Sequence, residues 1–172
     1  MNTISQAEFE QLDHKKLLMR AIELGEMARE HGNHPFGALL ADLDGNILLE
    51  AENTAFSDND FTRHAETNLL SEASRTYSTD ELANMVMYTN AESCVMCAGT
   101  AFFTGVRNVV YGLSADRLAE LWISEGNKKP IVLDMSCRQV FEASPYYRTN
   151  VIGPMMEEEA SAAQIGYKNP QT

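Results

Sequence analysis

The chain is poor in cysteine, in positive charge and in long apolar runs, and each shortage excludes something. Only three cysteines, Cys94, Cys97 and Cys137, occur in 172 residues. An odd, low count does not describe a disulfide scaffold. No apolar stretch approaches the roughly 20 residues needed to span a bilayer. Met1 to Gln11 carries two acidic side chains and no basic one, so it lacks the charged-then-apolar layout of a signal peptide; the expectation is a cytoplasmic protein without a membrane partner. Lysine and arginine number 13 against 25 aspartates and glutamates, a formal charge of −12. A field of that sign repels a polyanion. The basic pairs Lys15–Lys16 and Lys128–Lys129 read as solvated surface. A nucleic-acid partner is therefore disfavoured, and a small neutral one is not.

What remains is ordinary globular material: 44% apolar and 22% charged residues, enough to bury a core without disulfides. No repeat or linker divides the chain, which reads as one domain over 1–172, with a core at about 13–135 and a helical tail at about 137–172. Leu17, Ala21, Leu24 and Ala28 recur at helical spacing and predict a helix over 13–31, stopped by Gly32 and Asn33. Apolar runs at 36–43 and 46–52 flank Asp44–Gly45, a hairpin signal. A polar loop from Asn53 to Thr62 leads to a helix starting near His64. Residues 84–89 predict a strand, the segment from about Cys94 a helix, 108–112 a strand, and 115–121 a short helix. Ile131–Leu133 is expected to be a short fifth strand. Helices alternating with strands predict an α/β fold, a three-layer α-β-α sandwich around a mixed sheet of about five strands.

Two short patterns carry chemistry: His64-Ala65-Glu66 and Cys94-Val95-Met96-Cys97. Cysteines at i and i+3 share one helix face, and a helix N-terminus lowers their pKa toward the ligand form. Two thiolates and an imidazole suit zinc, and three protein ligands leave the fourth tetrahedral position to water, the layout of a catalytic site. The alternative is a structural zinc, which wants a fourth protein ligand, and Cys137 is the one spare cysteine. A redox pair is a further alternative, but it leaves His64 and Glu66 unexplained. In mid-helix, His64 and Glu66 would point roughly 200° apart. They converge only at the start of a helix, around a metal just beyond its first turn. Glu66 is then free to move protons and need not bind the metal.

H-A-E followed at a distance by C-x-x-C resembles the zinc-dependent deaminases of the cytidine/deoxycytidylate deaminase superfamily, whose signature and mechanism are established. Pro35-Phe36-Gly37-Ala38, Asn53 eleven residues before His64, and Val109-Val110-Tyr111-Gly112 resemble the guanine deaminase and tRNA adenosine deaminase branch, over about residues 13–120. The resemblance implies one zinc ion per chain, held by His64, Cys94 and Cys97, with Glu66 as the catalytic proton carrier. It also implies a homodimer and hydrolytic release of ammonia from a small nucleobase or nucleoside. Guanine or a related aminopurine is the expected substrate, ahead of nucleosides and triazine-like bases. A tRNA substrate would want a basic C-terminal helix, whereas the tail here carries Glu157-Glu158-Glu159. A non-catalytic, zinc-stabilised binding protein is the reading from a different class.

Asn53 is the expected base-binding amide, although asparagine also favours turns. Ala65 joins the expected substrate-binding set. Phe36, Phe102 and Phe103 are candidates either for the core or for stacking on a base. Asp116 resembles the acidic substrate contact of guanine deaminases; a carboxylate favoured at a helix N-terminus is the competing explanation. His34 lies near the expected pocket wall, and Tyr167 is a candidate to close the site, as the tail does in some guanine deaminases. Cys137 reads as an ordinary thiol. The chain departs from the family at Ser93, where proline usually precedes the first cysteine. Serine there is expected to cap the helix through its hydroxyl.

Overall fold

A computed structural model describes residues 9–128 and 131–169. Five strands form one sheet in the order β2-β1-β3-β4-β5: β1 (Gly37–Ala41), β2 (Ile47–Glu52), β3 (Val86–Ala91), β4 (Asn108–Leu113) and β5 (Asn150–Ile152). β1 runs antiparallel to β2 and β3, while β3–β4 and β4–β5 are parallel. The helices are α1 (His14–Glu30), α2 (Ala65–Thr76), α3 (Thr79–Leu82), α4 (Val95–Thr104), α5 (Ala115–Ser124), α6 (Cys137–Glu142) and α7 (Glu157–Ala162). Among the described residues, no helix is long and apolar enough to cross a membrane.

Every residue of β1, β3 and β4 is buried, because helices cover both faces of the sheet. Strand alternation sorts the side chains. Leu39, Ala41, Val86, Tyr88 and Val110 meet α1 through Leu17, Leu18 and Ala21, and α7 through Ala160. On the other face Ala38, Leu40, Met87, Val109 and Tyr111 meet Leu69 and Leu70 of α2, Ala98 and Ala101 of α4, and Phe141 of α6. The expected three layers are thus present. α1 starts at Asp13, whose side chain accepts from the Lys16 N–H, and lies very close to β1. A Cβ added at Gly37 would meet Ala21 O, Gly25 N and Leu24 Cβ at 2.5 Å. Glycine there permits the approach.

The chain beyond α5 differs from expectation. Ile131–Leu133 is not a strand: these residues have no regular structure and are exposed, Ile131 fully so. An apolar run makes a strand only where a sheet edge receives it, and the edge beside β4 is taken by Asn150–Ile152. Asn150 Nδ2 donates to Asn108 Oδ1 across that pair at 2.9 Å, so polar side chains help fix the register. The expected helical tail therefore contains two short helices with a strand between them. Glu157 accepts from the Ser114 backbone N–H and hydroxyl at 3.1 and 2.7 Å, joining α7 to the start of α5.

Candidate active site

Three potential ligand atoms converge where two helices begin. His64 is the residue that precedes α2, with extended backbone (φ −71°, ψ 157°), and Cys94 precedes α4 in the same way (φ −66°, ψ 170°). Neither side chain caps its own helix, so both remain available. His64 is held in place by the preceding loop: its N–H donates to Thr62 O at 2.9 Å, and Thr54 N–H donates to Arg63 O at 3.0 Å. Asn68 Nδ2 ties α2 to the end of β2 by donating to Glu52 O and Thr54 Oγ1. Cys94 follows β3 by three residues, at the carboxyl end of the parallel strands, where α/β sheets commonly place ligands.

The separations fit zinc. Zinc–sulfur bonds of about 2.3 Å and zinc–nitrogen bonds of about 2.0–2.1 Å set tetrahedral edges of about 3.8 Å between sulfurs and about 3.6 Å between sulfur and nitrogen. Cys94 Sγ lies 3.6 Å from Cys97 Sγ, and His64 Nδ1 lies 3.7 and 3.5 Å from the two sulfurs. Among the described residues, His64, Cys94 and Cys97 form the one cluster of potential ligands close enough for a single ion. Cys97 is buried and Cys94 reaches the surface. In the protein's own charge arrangement, the hydrogen bond from Cys97 pushes the Cys94 thiol down, and the same bond raises Cys97. The pair therefore already favours one thiolate, and a bound cation favours two. Cys137 lies elsewhere, in the apolar cluster around Phe141, with its backbone N–H donating to Glu92 Oε1 at 3.0 Å. It is not among the residues close enough to share the ion.

Glu66 is buried, 5% exposed, in the first turn of α2. Burial first, and then the charge of Cys94, raise its carboxyl above the usual range, as expected of a proton carrier held out of water. Ser93 is also buried, but it does not cap α4, because Cys94 occupies that position. Its hydroxyl meets hydrogen-bond geometry with no described protein group, yet it stands near enough to Glu66 to lower that carboxyl slightly.

Asn53 is fully buried just beyond β2. Its Oδ1 accepts from Ala55 N–H at 3.0 Å, and its Nδ2 has no partner among the described residues. Its backbone N–H donates to Phe36 O at 2.9 Å, which ties it to the β1 rim. That rim is fixed by Asn90, fully buried, whose Oδ1 accepts from Gly37 N–H and whose Nδ2 donates to Pro35 O. Ala65 is fully buried in the first turn of α2.

Phe36 is half-buried beside a ring cluster that sequence reasoning did not assemble: His34, Phe56, Trp122 and Tyr167. The tail supplies one wall. Gln164, fully buried, accepts from Trp122 Nε1 at 2.9 Å and donates to Pro35 O at 2.8 Å. Tyr167 Oη lies 2.9 Å from His34 Nδ1. Arg29 donates to the carbonyls of Ala163 and Ile165. Phe56 stood in a polar loop, and Trp122 and Gln164 look like helix residues in isolation, so only the tertiary fold reveals their meeting. Phe102 and Phe103 lie elsewhere: Phe102 packs under Arg107, 4.8 Å from its ring centroid, and Phe103 is 84% exposed. Asp116 is exposed in the first turn of α5.

Residues 11–113 match the model of the cytidine and deoxycytidylate deaminase zinc-binding region. The chain belongs to this deaminase family. The deaminase is 33% identical over 150 residues to a probable cytosine deaminase of Schizosaccharomyces pombe, covering 87% of this chain and 89% of that one. It is 31% identical over 110 residues to the guanine deaminase of Bacillus subtilis, covering 63% and 70%. The solved guanine deaminase of Nitrosomonas europaea superposes with a TM-score of 0.71 at 20% identity, covering 95% of the deaminase and 85% of that chain; this likeness concerns the fold.

Proposed function

We propose that this chain is a zinc-dependent hydrolase that deaminates a free nucleobase bearing a ring carbonyl, converting the amino-substituted ring carbon to a carbonyl and releasing ammonia. The observation that carries the proposal is the meeting of the His64–Cys94–Cys97 triad with a buried carboxyl, Glu66; Asn53 adds a buried amide donor, Nδ2, without a partner among the described residues. Zinc held by the triad supplies a Lewis acid that makes water a nucleophile near neutral pH. Glu66 takes a proton from the attacking water and delivers it to the ring nitrogen beside the amino-bearing carbon. It then takes the proton of the hydroxyl now on that carbon and passes it to the departing amine, so the carbon–nitrogen bond breaks as the carbonyl forms and ammonia leaves.

Asn53 offers its Nδ2 as a donor with no partner among the described residues, while its oxygen already accepts the Ala55 N–H. It therefore suits a carbonyl or an unprotonated ring nitrogen. The Ala65 backbone, at a helix N-terminus, is a second place for an acceptor. Phe36 borders the ring cluster. Asp116 enters only if its exposed carboxylate turns toward the base. Tail residues 164 and 167 already pack on the rim, which favours a small, enclosed substrate over a polynucleotide and excludes water from the reacting centre. The charge of −12 acts in the same direction.

Guanine and cytosine both meet this description. The sequence pattern alone favours an aminopurine, whereas the near end-to-end relation to the S. pombe protein favours cytosine. Ammonia release from guanine, cytosine, adenine, their nucleosides and a tRNA anticodon stem separates the readings. Turnover of guanine or cytosine supports the proposal, and turnover of adenine alone contradicts the ring carbonyl. Turnover of ribosides alone makes the enzyme a nucleoside deaminase, and turnover of the stem alone overturns the choice of substrate class. A homodimer fits the exposed Phe103 and the uncharged outer stretch of α4; sedimentation at micromolar concentration tests it, and a 19.1 kDa species alone removes it.

A further inference from the structure

The ring cluster contains an imidazole, His34, that the chemistry above does not use. His34 lies two residues before Phe36, whose N–H donates to His34 O at 2.7 Å, and Phe36 O in turn holds Asn53. His34 therefore belongs to the same rim as the free amide donor. Its imidazole is enclosed by rings: Phe56 at 4.7 Å between centroids, Trp122 at 5.5 Å in stacked geometry, Tyr167 at 5.8 Å and Phe36 at 6.1 Å. Burial, and then the charge of His64, push its pKa down to about 4. The ring is thus neutral at working pH and close enough to the metal-ligand histidine to feel it.

Tyr167 sets the tautomer. Its hydroxyl is buried, and His34 Nδ1 is its hydrogen-bond partner. If the phenol accepted from Nδ1, its own proton would be left unpaired, at a cost comparable to a lost hydrogen bond. The phenol therefore donates to Nδ1, which puts the imidazole proton on Nε2, at the ring edge away from Tyr167.

We propose that His34 is a specificity-determining residue whose Nε2–H donates to the ring carbonyl of the substrate, with Tyr167 as the positioning residue that fixes this tautomer. The role rests on the deaminase function proposed above. It predicts that the enzyme selects bases pairing an amino group with a carbonyl, through two convergent donors, His34 Nε2 and Asn53 Nδ2; a carbonyl oxygen has two lone pairs to receive them. A site built around such donors rejects an analogue lacking the acceptor, because the buried Asn53 Nδ2 is then stranded and the His34 donor loses its partner.

The test compares cytosine with 4-aminopyrimidine and guanine with 2-aminopurine, each pair differing by the carbonyl. The wild type should prefer the carbonyl-bearing base of the pair it turns over. His34→Phe keeps the ring packing and removes the donor. It should lower kcat/KM on that base by about tenfold to a hundredfold and shrink the preference by the same factor, with little change on the analogue. Tyr167→Phe should produce a smaller loss of the same kind. Imidazole nitrogen NMR supplies a readout independent of turnover: His34 should show a single Nε2–H tautomer in the wild type and a mixture in Tyr167→Phe. An unchanged preference in a folded His34→Phe protein overturns the proposal, as does an Nδ1–H signal in the wild type. If the wild type releases ammonia from no base, the deaminase proposal itself fails, and a correct tautomer signal cannot rescue it.

Discussion

Gln164→Met cuts the connection between the tail and the rim of the site while keeping a side chain of similar length. Gln164 is fully buried and links two elements far apart in sequence: its oxygen receives the Trp122 indole proton, and its nitrogen donates to Pro35 O. The two losses differ. Pro35 O keeps the Asn90 amide at 2.9 Å, so on that side about 1 kcal/mol of net hydrogen bonding is lost. Trp122 is 6% exposed, so its N–H is stranded, at a cost of about 1–3 kcal/mol. Together they give about 3 kcal/mol. With a urea m-value of about 2 kcal/mol/M for a domain of this size, the unfolding midpoint should fall by about 1.5 M. Trp122 is the sole tryptophan, so its emission reports the unfolding directly and also senses the loosened tail in the native state. A midpoint shift below about 0.3 M at unchanged m would show that Gln164 does not hold the tail to the rim.

Other outcomes follow from individual groups. An unfolded histidine titrates near 6.5, whereas His34 in the native protein titrates at about 4, so between these values the unfolded chain binds a proton that the native state refuses. Stability should fall as pH drops from about 6.5 toward 4, by up to about 3 kcal/mol from this group; chemical denaturation across that window should show a flatter slope in His34→Phe, and identical slopes would contradict the assignment. Cys137 is buried and its thiol is pushed up to about 12, so iodoacetamide at neutral pH should label Cys94 in metal-stripped native protein and leave Cys137 intact. Mass spectrometry finding Cys137 labelled first would refute this. Asn53→Asp keeps the oxygen that serves Ala55 N–H but replaces the free donor. It should lower kcat/KM on the preferred base by about a hundredfold, and kinetics within a few-fold of wild type would remove Asn53 from the binding set.

The cluster of potential metal ligands was legible because its chemistry is local. His64 with Glu66 and Cys94 with Cys97 imply two helix starts facing each other, and both residues that lead those helices have the extended backbone of a cap position. α1 was legible from its helical spacing, β1 and β4 as apolar runs that are buried throughout, and β2 as the run across the Asp44–Gly45 turn that pairs it with β1. β5 was not, because Asn150–Ile152 is three residues long and none is fully buried; its pairing depends on Asn108 and the edge of β4. Ile131–Leu133 has the better strand composition and no edge to join. Ser93 was expected to cap α4, but a residue cannot both precede the cap and fill it. The wall formed by His34, Phe56, Trp122, Gln164 and Tyr167 was illegible for a related reason: its residues come from four separate segments, and no spacing links them.

Whether Glu66 moves protons beside a zinc held by His64, Cys94 and Cys97 is tested most directly by Glu66→Gln, with zinc content and ammonia release measured on the same preparations of variant and wild type, using the free base the wild type prefers. Both proteins should hold about one zinc per chain, and the variant should lose turnover by about a thousandfold, within the range for a positioned proton carrier. A variant that keeps its zinc and still releases ammonia within tenfold of the wild-type rate would contradict it.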